Sequence, residues 1–326
     1  MSGSSGNTVT RQFHVYDNNG NDVTSECVYE LNTVLSCFTV DKNNNLLISD
    51  GSMNDGTYFR VLTATYPDEN LTASAAVNVS IDDDYDYSYT NLTFTALENG
   101  TFTLTIPEGL SSSALTSISY STDMGSTWTI TQNVDNQTVT ITTPTITKGN
   151  KVLWKGEGYT YCDTNTPVTS SMFSSTGRFN VSGNIMSLLY LDNFVGQTSF
   201  ASGTVNNFTS LFHNADKLIS AANLVLPATT MTRLCYGDMF NGCRSLTTAP
   251  ELPATTLATG CYNSMFSGCS SLKYIKMLAT DITASNCLTN WVSGVASTGT
   301  FTKAASQSSL PSGASGIPEN WTVVNA

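Results

Sequence analysis

"CYGDMFNGCRSLTTAPELPATTLATGCYNSMFSGCSSLKYI", running from Cys235 to Ile275, decides the fold because it states one pattern twice. Cys235, Cys261 and Cys287 stand 26 residues apart, as do Cys243 and Cys269, Phe240 and Phe266, Leu246 and Leu272, and Leu252 and Leu278. Met239 and Met265 continue at the same interval to Trp291. A cysteine-free copy comes first, with Phe208 standing for Tyr236, Phe212 for Phe240, Ala215 for Cys243 and Leu218 for Leu246. Pro227 and Pro253 are again 26 apart, so the two extra residues of the first copy fall between Phe212 and Pro227. A fixed period of about 20–29 residues with leucines at set offsets marks a leucine-rich solenoid. No single turn of such a coil can bury its apolar face alone. Stacked turns lay equivalent side chains over one another, so Cys235, Phe240, Cys243, Leu246, Leu252, Cys261, Phe266, Cys269, Leu272, Leu278 and Cys287 form the expected core.

The cysteines need a reason of their own. A small apolar side chain fits one slot in each coil, as Ala215 does in the first. Bridging between or within coils is the other reading. Alanine in the first copy and the lack of any cysteine after Cys287 favour packing, hence free thiols. The chain has eight cysteines but no CxxC pair, and its two histidines are His14 and His213, so a zinc site is not expected.

Working outward, only 12% of the 326 residues are charged while 40% are hydrophobic, a balance suited to β-rich surface proteins and too apolar for disorder. The net charge of −12 would repel a phosphate backbone, which excludes nucleic acid as a partner. No apolar run approaches the length of a membrane span, so membrane insertion is not expected. The start, MSGSSGNTVT, lacks the basic and apolar regions of a signal peptide. Two readings stay open: a cloning remnant before a trimmed leader, or the flexible start of a protein assembled inside a cell.

Residues 1–7 are read as that flexible segment and 8–82 as short alternating strands separated by turn strings such as Asn18–Asn21 and Asn43–Asn45. This spacing predicts an immunoglobulin-like β-sandwich. Cys27 and Cys37, ten residues apart, are expected to be buried thiols, not an inter-sheet bridge. Next comes an acidic junction in which Asp82, Asp83, Asp84 and Asp86 are a weak calcium candidate, with a solvated linker as the preferred reading. Residues 83–158 form a second β-sandwich-like domain holding Ser121-x-Asp123-x-Gly125-x-x-Trp128. That string looks like an Asp-box, and on physical grounds it is a braced hairpin: Asp123 accepts from turn amides, Gly125 supplies an open backbone position and Trp128 packs beneath. Residues 159–205 are an amino-terminal cap with a short helix or strand around Ile185 to Tyr190, 206–290 the coils, and 291–326 the other cap. The fold class is therefore mainly β.

The form CYxxMFxGCxSL…LPATTLA…CYxxMFxGCxSL resembles the BspA-type leucine-rich repeats of Bacteroidota and their phages, closely from Asn206 to Asn286. The flanks from Phe173 to Tyr190 and from Trp291 onward, and GNKVLWKGEG in the second β-domain, are similar to that group as well. The amino-terminal strands resemble bacterial immunoglobulin-like domains only loosely. The resemblance implies surface adhesion with no catalytic residue in the repeats, on a shorter horseshoe than usual.

In such coils, strand residues between buried leucines face outward: Thr247, Thr248 and Pro250 in one, Lys273, Tyr274 and Lys276 in the next. Thr248, Lys273, Tyr274 and Lys276 are the candidate binding surface, with an ordinary solvated strand as the bland reading. Tyr236 and Tyr262 read as stacking residues. No Ser/His/Asp set, Walker loop or dinucleotide fingerprint is present, and no cofactor is expected. The expectation is thus a non-enzymatic exterior virion protein (head fibre, decoration or tail fibre) of a phage infecting Bacteroidota, with other virion proteins and a host-surface protein or glycan as partners, and a homotrimer by analogy with fibres. A bacterial cell-surface adhesin is the alternative, and a carbohydrate-active enzyme suggested by the Asp-box a third.

Overall fold

The structure is a computed structural model that describes residues 87–326, apart from 134, 136 and 163–171, and the backbone of six strands before them. It divides into two compact units, 1–89 and 90–326. In the first unit β1 (Val9–Gln12), β3 (Phe38–Asp41) and β4 (Leu46–Ser49) pair antiparallel in the order β1-β4-β3. A second antiparallel sheet orders β2 (Val28–Leu31), β5 (Gly56–Asp68) and β6 (Leu71–Ile81) as β2-β5-β6. Cys27, Cys37, His14 and the Asp82, Asp83, Asp84 and Asp86 cluster lie outside the described residues.

The second unit is mainly β, with a solenoid of about four turns. Its antiparallel part contains β7 (Leu92–Ala96), β8 (Phe102–Ile106), β9 (Leu115–Ser121), β10 (Thr129–Gln132), β11 (Val139–Thr142), β12 (Lys151–Gly158), β13 (Met172–Ser175) and β14 (Phe179–Asn184). Helix α1 (Ser187–Tyr190) follows, in the stretch where a short helix or strand is expected. The coils contribute β15 (Leu218–Val225), β16 (Thr248–Leu252), β17 (Tyr274–Met277), β18 (Thr300–Lys303) and β19 (Thr322–Asn325). One ten-stranded sheet joins both parts in the order β10-β9-β12-β7-β14-β15-β16-β17-β18-β19. Strand β14 is the switch point: it pairs antiparallel with β7 and parallel with β15. The sheet therefore crosses positions 158 and 205, and the second β-domain, the caps and the coils share one core.

The reason lies in β8 and β13. Alternation in FTLTI turns Phe102, Leu104 and Ile106 inward from β8, in a three-stranded sheet of order β11-β8-β13 that shares the main sheet's core. Phe173 of β13 meets Phe94 of β7 edge-on at 4.8 Å and stacks on Phe212 of the first coil at 5.7 Å. From there the aromatics run on coil by coil. Phe212, Phe240 and Phe266 are stacked at 5.4 and 5.5 Å with interplanar angles of 4° and 12°. A second column starts at Tyr161 and passes through Phe208, Tyr236 and Tyr262 at 5.9, 6.1 and 6.3 Å. Trp291, at the methionine position, is broad enough to end both: its ring lies 6.5 Å from Tyr262 and 6.1 Å from Phe266. Its indole N–H donates to the Gly316 carbonyl at 2.9 Å.

On the side opposite the strands, each coil closes through consecutive turns with a left-handed residue at every fourth position. These residues are Asn206, Ser210 and Asn214, then Leu234, Asp238 and Gly242, then Gly260, Ser264 and Gly268, then Asn286, Asn290 and Gly294. In the first three coils each of these amides donates to the following coil, as in Asp238 to Asn263 and Gly268 to Ser293. Asparagine and glycine dominate because they tolerate this conformation best.

One expected core position is corrected. Leu278 is only half-buried, and Met277 fills the slot beside Leu252. Thr248 pairs with Tyr274, a spacing of 26, but Leu252 pairs with Met277, a spacing of 25. The register slips between Thr248 and Glu251, which also turns Pro250 inward; it is buried, not outward-facing. The two extra residues of the first copy lie in β15 beyond Ser220, since Ser220 pairs with Thr248 at a spacing of 28.

Replacing Trp291 by Ala opens a cavity beneath both columns. The expected loss is about 3–5 kcal/mol, measured as a fall in the urea midpoint at unchanged slope. Gly268→Ala forces a side chain into a backbone with φ of 76°, and should cost about 1–2 kcal/mol. A Trp291→Ala loss no larger than that of an exposed substitution would show that the columns do not hold the coils together.

Candidate contact surface

Strand β17 turns alternate residues inward, while β15, β16 and β18 bury a less regular set and β19 buries none. Ala249 and Leu252, Ile275 and Met277, and Phe301 are buried, while Thr248, Glu251, Tyr274 and Lys276 face out. Cross-strand pairing sets the outward residues in rows. One row reads Ser220, Thr248, Tyr274, Thr300 and Thr322, five hydroxyl-bearing residues on five successive strands. A second pairs Glu251 with Lys276, and its continuation on β18, Thr302, is buried. Neighbouring strands sit about 4.8 Å apart, which sets the pitch of each row.

Of the expected surface residues, three come together: Thr248 and Tyr274 are direct cross-strand partners, and Lys276 is two residues along the same face. Tyr274 is 37% exposed. Lys276 Nζ lies 2.8 Å from Glu251 Oε2, so its charge is matched within the surface. Lys273 is exposed but precedes β17, and its amide joins the Thr247 carbonyl. Thr247 likewise precedes its strand and uses its hydroxyl to donate to Ile219 O. Glu251, Thr300 and Thr322 were missed by sequence reasoning. The register slip before Glu251 hides it; Thr300 keeps the 26-residue spacing from Tyr274 but lies in the cap, and Thr322 falls off the period.

The Asp-box-like hairpin between β9 and β10 is a brace. Asp123 accepts from the Thr127 amide at 2.9 Å, the Thr127 hydroxyl at 2.6 Å and the Ser121 hydroxyl at 2.7 Å. These bonds stabilise the carboxylate and hold its pKa down at about 2, the Thr127 side chain contributing most. Gly125 has φ of 90°, and Trp128 donates its indole N–H to the Gly125 carbonyl at 3.1 Å. Lys155 Nζ sits 4.1 Å from the centre of the Trp128 ring and pairs with Asp192 at 2.8 Å.

Cys235, Cys243, Cys261, Cys269 and Cys287 are free thiols, and with Cys162 all six are buried. They have a role beyond filling space. Cys243 Sγ donates to Phe212 O of the preceding coil at 2.9 Å, and Cys269 Sγ to Phe240 O at 3.0 Å. Desolvation disfavours their thiolates and pushes Cys235 and Cys269 up to about 12, with Cys243 and Cys261 also raised. Among the described residues no group of three or more His, Cys, Asp and Glu is placed to hold a metal ion, and no helix is long and apolar enough to cross a membrane. A separate groove of about 350 Å³ is lined by Thr229, Thr230, Met231, Thr255, Thr256 and Leu257.

Two measurements check this site. The six thiols should stay unreactive toward a maleimide in the native protein near pH 8 and react together on unfolding; fast native labelling at Cys243 or Cys269 would contradict their burial. Asp123 has a depressed folded pKa, so its stabilisation is complete above the ordinary carboxylate value near 3.8 and is lost as pH falls through about 2. Asp123→Asn should therefore flatten the acid limb of the Trp128 fluorescence transition, and an unchanged limb would refute the brace.

Comparison of the chain with family models, with curated proteins and with solved structures finds no match, so the meaning of this surface rests on its own residues.

Proposed function

We propose that the chain is a non-enzymatic display module, an exterior virion protein (head fibre, decoration or tail fibre) of a phage infecting Bacteroidota. Its coils are of the BspA leucine-rich kind and carry the attachment surface. The antiparallel sheets before residue 89 act as an immunoglobulin-like spacer, and the partners are other virion proteins and a host-surface protein or glycan. A homotrimer would suit a fibre of this type.

The observation that carries this reading is the outward row Ser220, Thr248, Tyr274, Thr300 and Thr322, held on a backbone whose every coil is tied to the next. Such a face offers contact groups, and its carboxylate and its ammonium, Glu251 and Lys276, are joined to each other. The Asp-box carries no weight for a carbohydrate-active enzyme, because Asp123 is engaged by Ser121 and Thr127 within its own hairpin.

Immunogold electron microscopy of phage particles from the source culture tests the proposal. Gold on capsids or tails is expected, and its position separates head fibre from tail fibre. Unlabelled particles beside labelled bacterial envelopes would overturn the virion assignment in favour of a bacterial cell-surface adhesin.

A further inference from the structure

The outward face of β15–β19 has a chemistry that selects among the ligands an attachment surface could hold. Tyr274 stands at the middle of its row, 37% exposed, with Thr248 and Thr300 as its cross-strand neighbours. Beside it, Lys276 and Glu251 are joined at 2.8 Å. A carboxylate has about four lone-pair sites and an ammonium three donors. Their mutual contact occupies one of each, so a strong acceptor and a strong donor stay available side by side. As a pair they carry no net charge. An acidic ligand would have to break the pair or meet the carboxylate, on a chain whose formal charge is already −12.

We propose that this face binds a neutral polysaccharide, lying along the coil axis with a pyranose ring on Tyr274. Sugars present a C–H face that stacks on an aromatic ring and neighbouring hydroxyls that each donate and accept. The first matches Tyr274 and the second matches the Lys276–Glu251 pair. The hydroxyl row continues the match, since Ser220, Thr248, Thr300 and Thr322 repeat at the strand spacing of about 4.8 Å, close to the rise of one sugar unit along an extended chain. Lys273 lies before β17 and outside both rows, and Lys303, at the end of β18, donates its Nζ to the Gln307 carbonyl, so neither adds a cation to the rows.

The inference rests on the attachment reading above, and one experiment separates the two. Fluorescent full-length chain is bound to a panel of intact Bacteroidota cells, before and after mild periodate, which cleaves vicinal diols, and at low and raised salt. It is then titrated against the neutral and the acidic polysaccharide fractions purified from cells that bind it. The expected result is attachment that periodate abolishes and salt hardly changes, with affinity for the neutral fraction. Tyr274→Ala should weaken binding about tenfold or more, while Tyr274→Phe keeps most of it. Because Tyr274 is at the surface, both variants should melt with the parent, and Glu251→Gln gives an independent loss on the other row. Attachment that survives periodate, or that prefers the acidic fraction and falls with salt, overturns the polysaccharide inference but leaves attachment standing. Failure to attach to any cell in the panel overturns both.

Discussion

The structure depends on one constraint: each coil must set its aromatic side chains directly over those of the coil before. A ring can stack on its neighbour only if the backbones repeat at the strand spacing, and the separations of 5.4 to 6.3 Å from Phe208 to Tyr262 and from Phe212 to Phe266 show that both columns do so with a slight offset. Everything else in the repeat serves this register. Left-handed turns at every fourth residue return the chain to its starting height, and their amides donate to the following coil. The thiols of Cys243 and Cys269 join in by donating to the carbonyls of Phe212 and Phe240. Cysteine is the small side chain that both fills the slot and supplies a donor, whereas Ala215, in the first copy, fills it alone.

Columns have ends, and both ends are closed by larger aromatic assemblies. At the start Phe173 stacks on Phe212 while meeting Trp154 at 5.0 Å and Phe94 at 4.8 Å, so the antiparallel sheets act as the cap. The parallel coils then need no separate plug at this end, because β14 carries the sheet from one pairing mode to the other. At the far end Trp291 covers both columns and Trp321 donates its indole N–H to Ala296 O at 2.7 Å. Gln307, buried and bonded to Ala279 O at 2.9 Å, satisfies a carbonyl of the preceding coil.

The coil period, the ladder slots of Cys243, Phe240 and Leu246 and the hairpin role of Asp123 were all legible in the sequence, because each is a local or strictly repeated signal. Leu278 was not. A repeat of 26 in the letters hides a repeat of 25 in space once the backbone slips between Thr248 and Glu251. Fusion of the second β-domain with the coils was also hidden, since β14 gives no local sign that its two edges will pair in opposite senses. The hydroxyl row was invisible for a related reason. Its members are spaced by 28, 26, 26 and 22 residues, so no fixed period connects Ser220 to Thr322. What aligns them is the sheet, not the sequence interval.

That row also bears on how such a surface would achieve useful affinity. Threonine side chains on strands have few rotamers to lose, so ordering them against a ligand costs little. For the same reason each reaches a short distance and contributes modestly. Tyr274 is the aromatic contact on the face, and the Lys276–Glu251 pair must exchange solvent for any partner it meets. One copy therefore suits weak, reversible contact, and firm attachment calls for several copies carried together, where a second contact forms at the high effective concentration set by the first. A rigid, repeat-built module with a shallow face is well matched to that mode, because its gain comes from number and geometry instead of from depth of burial.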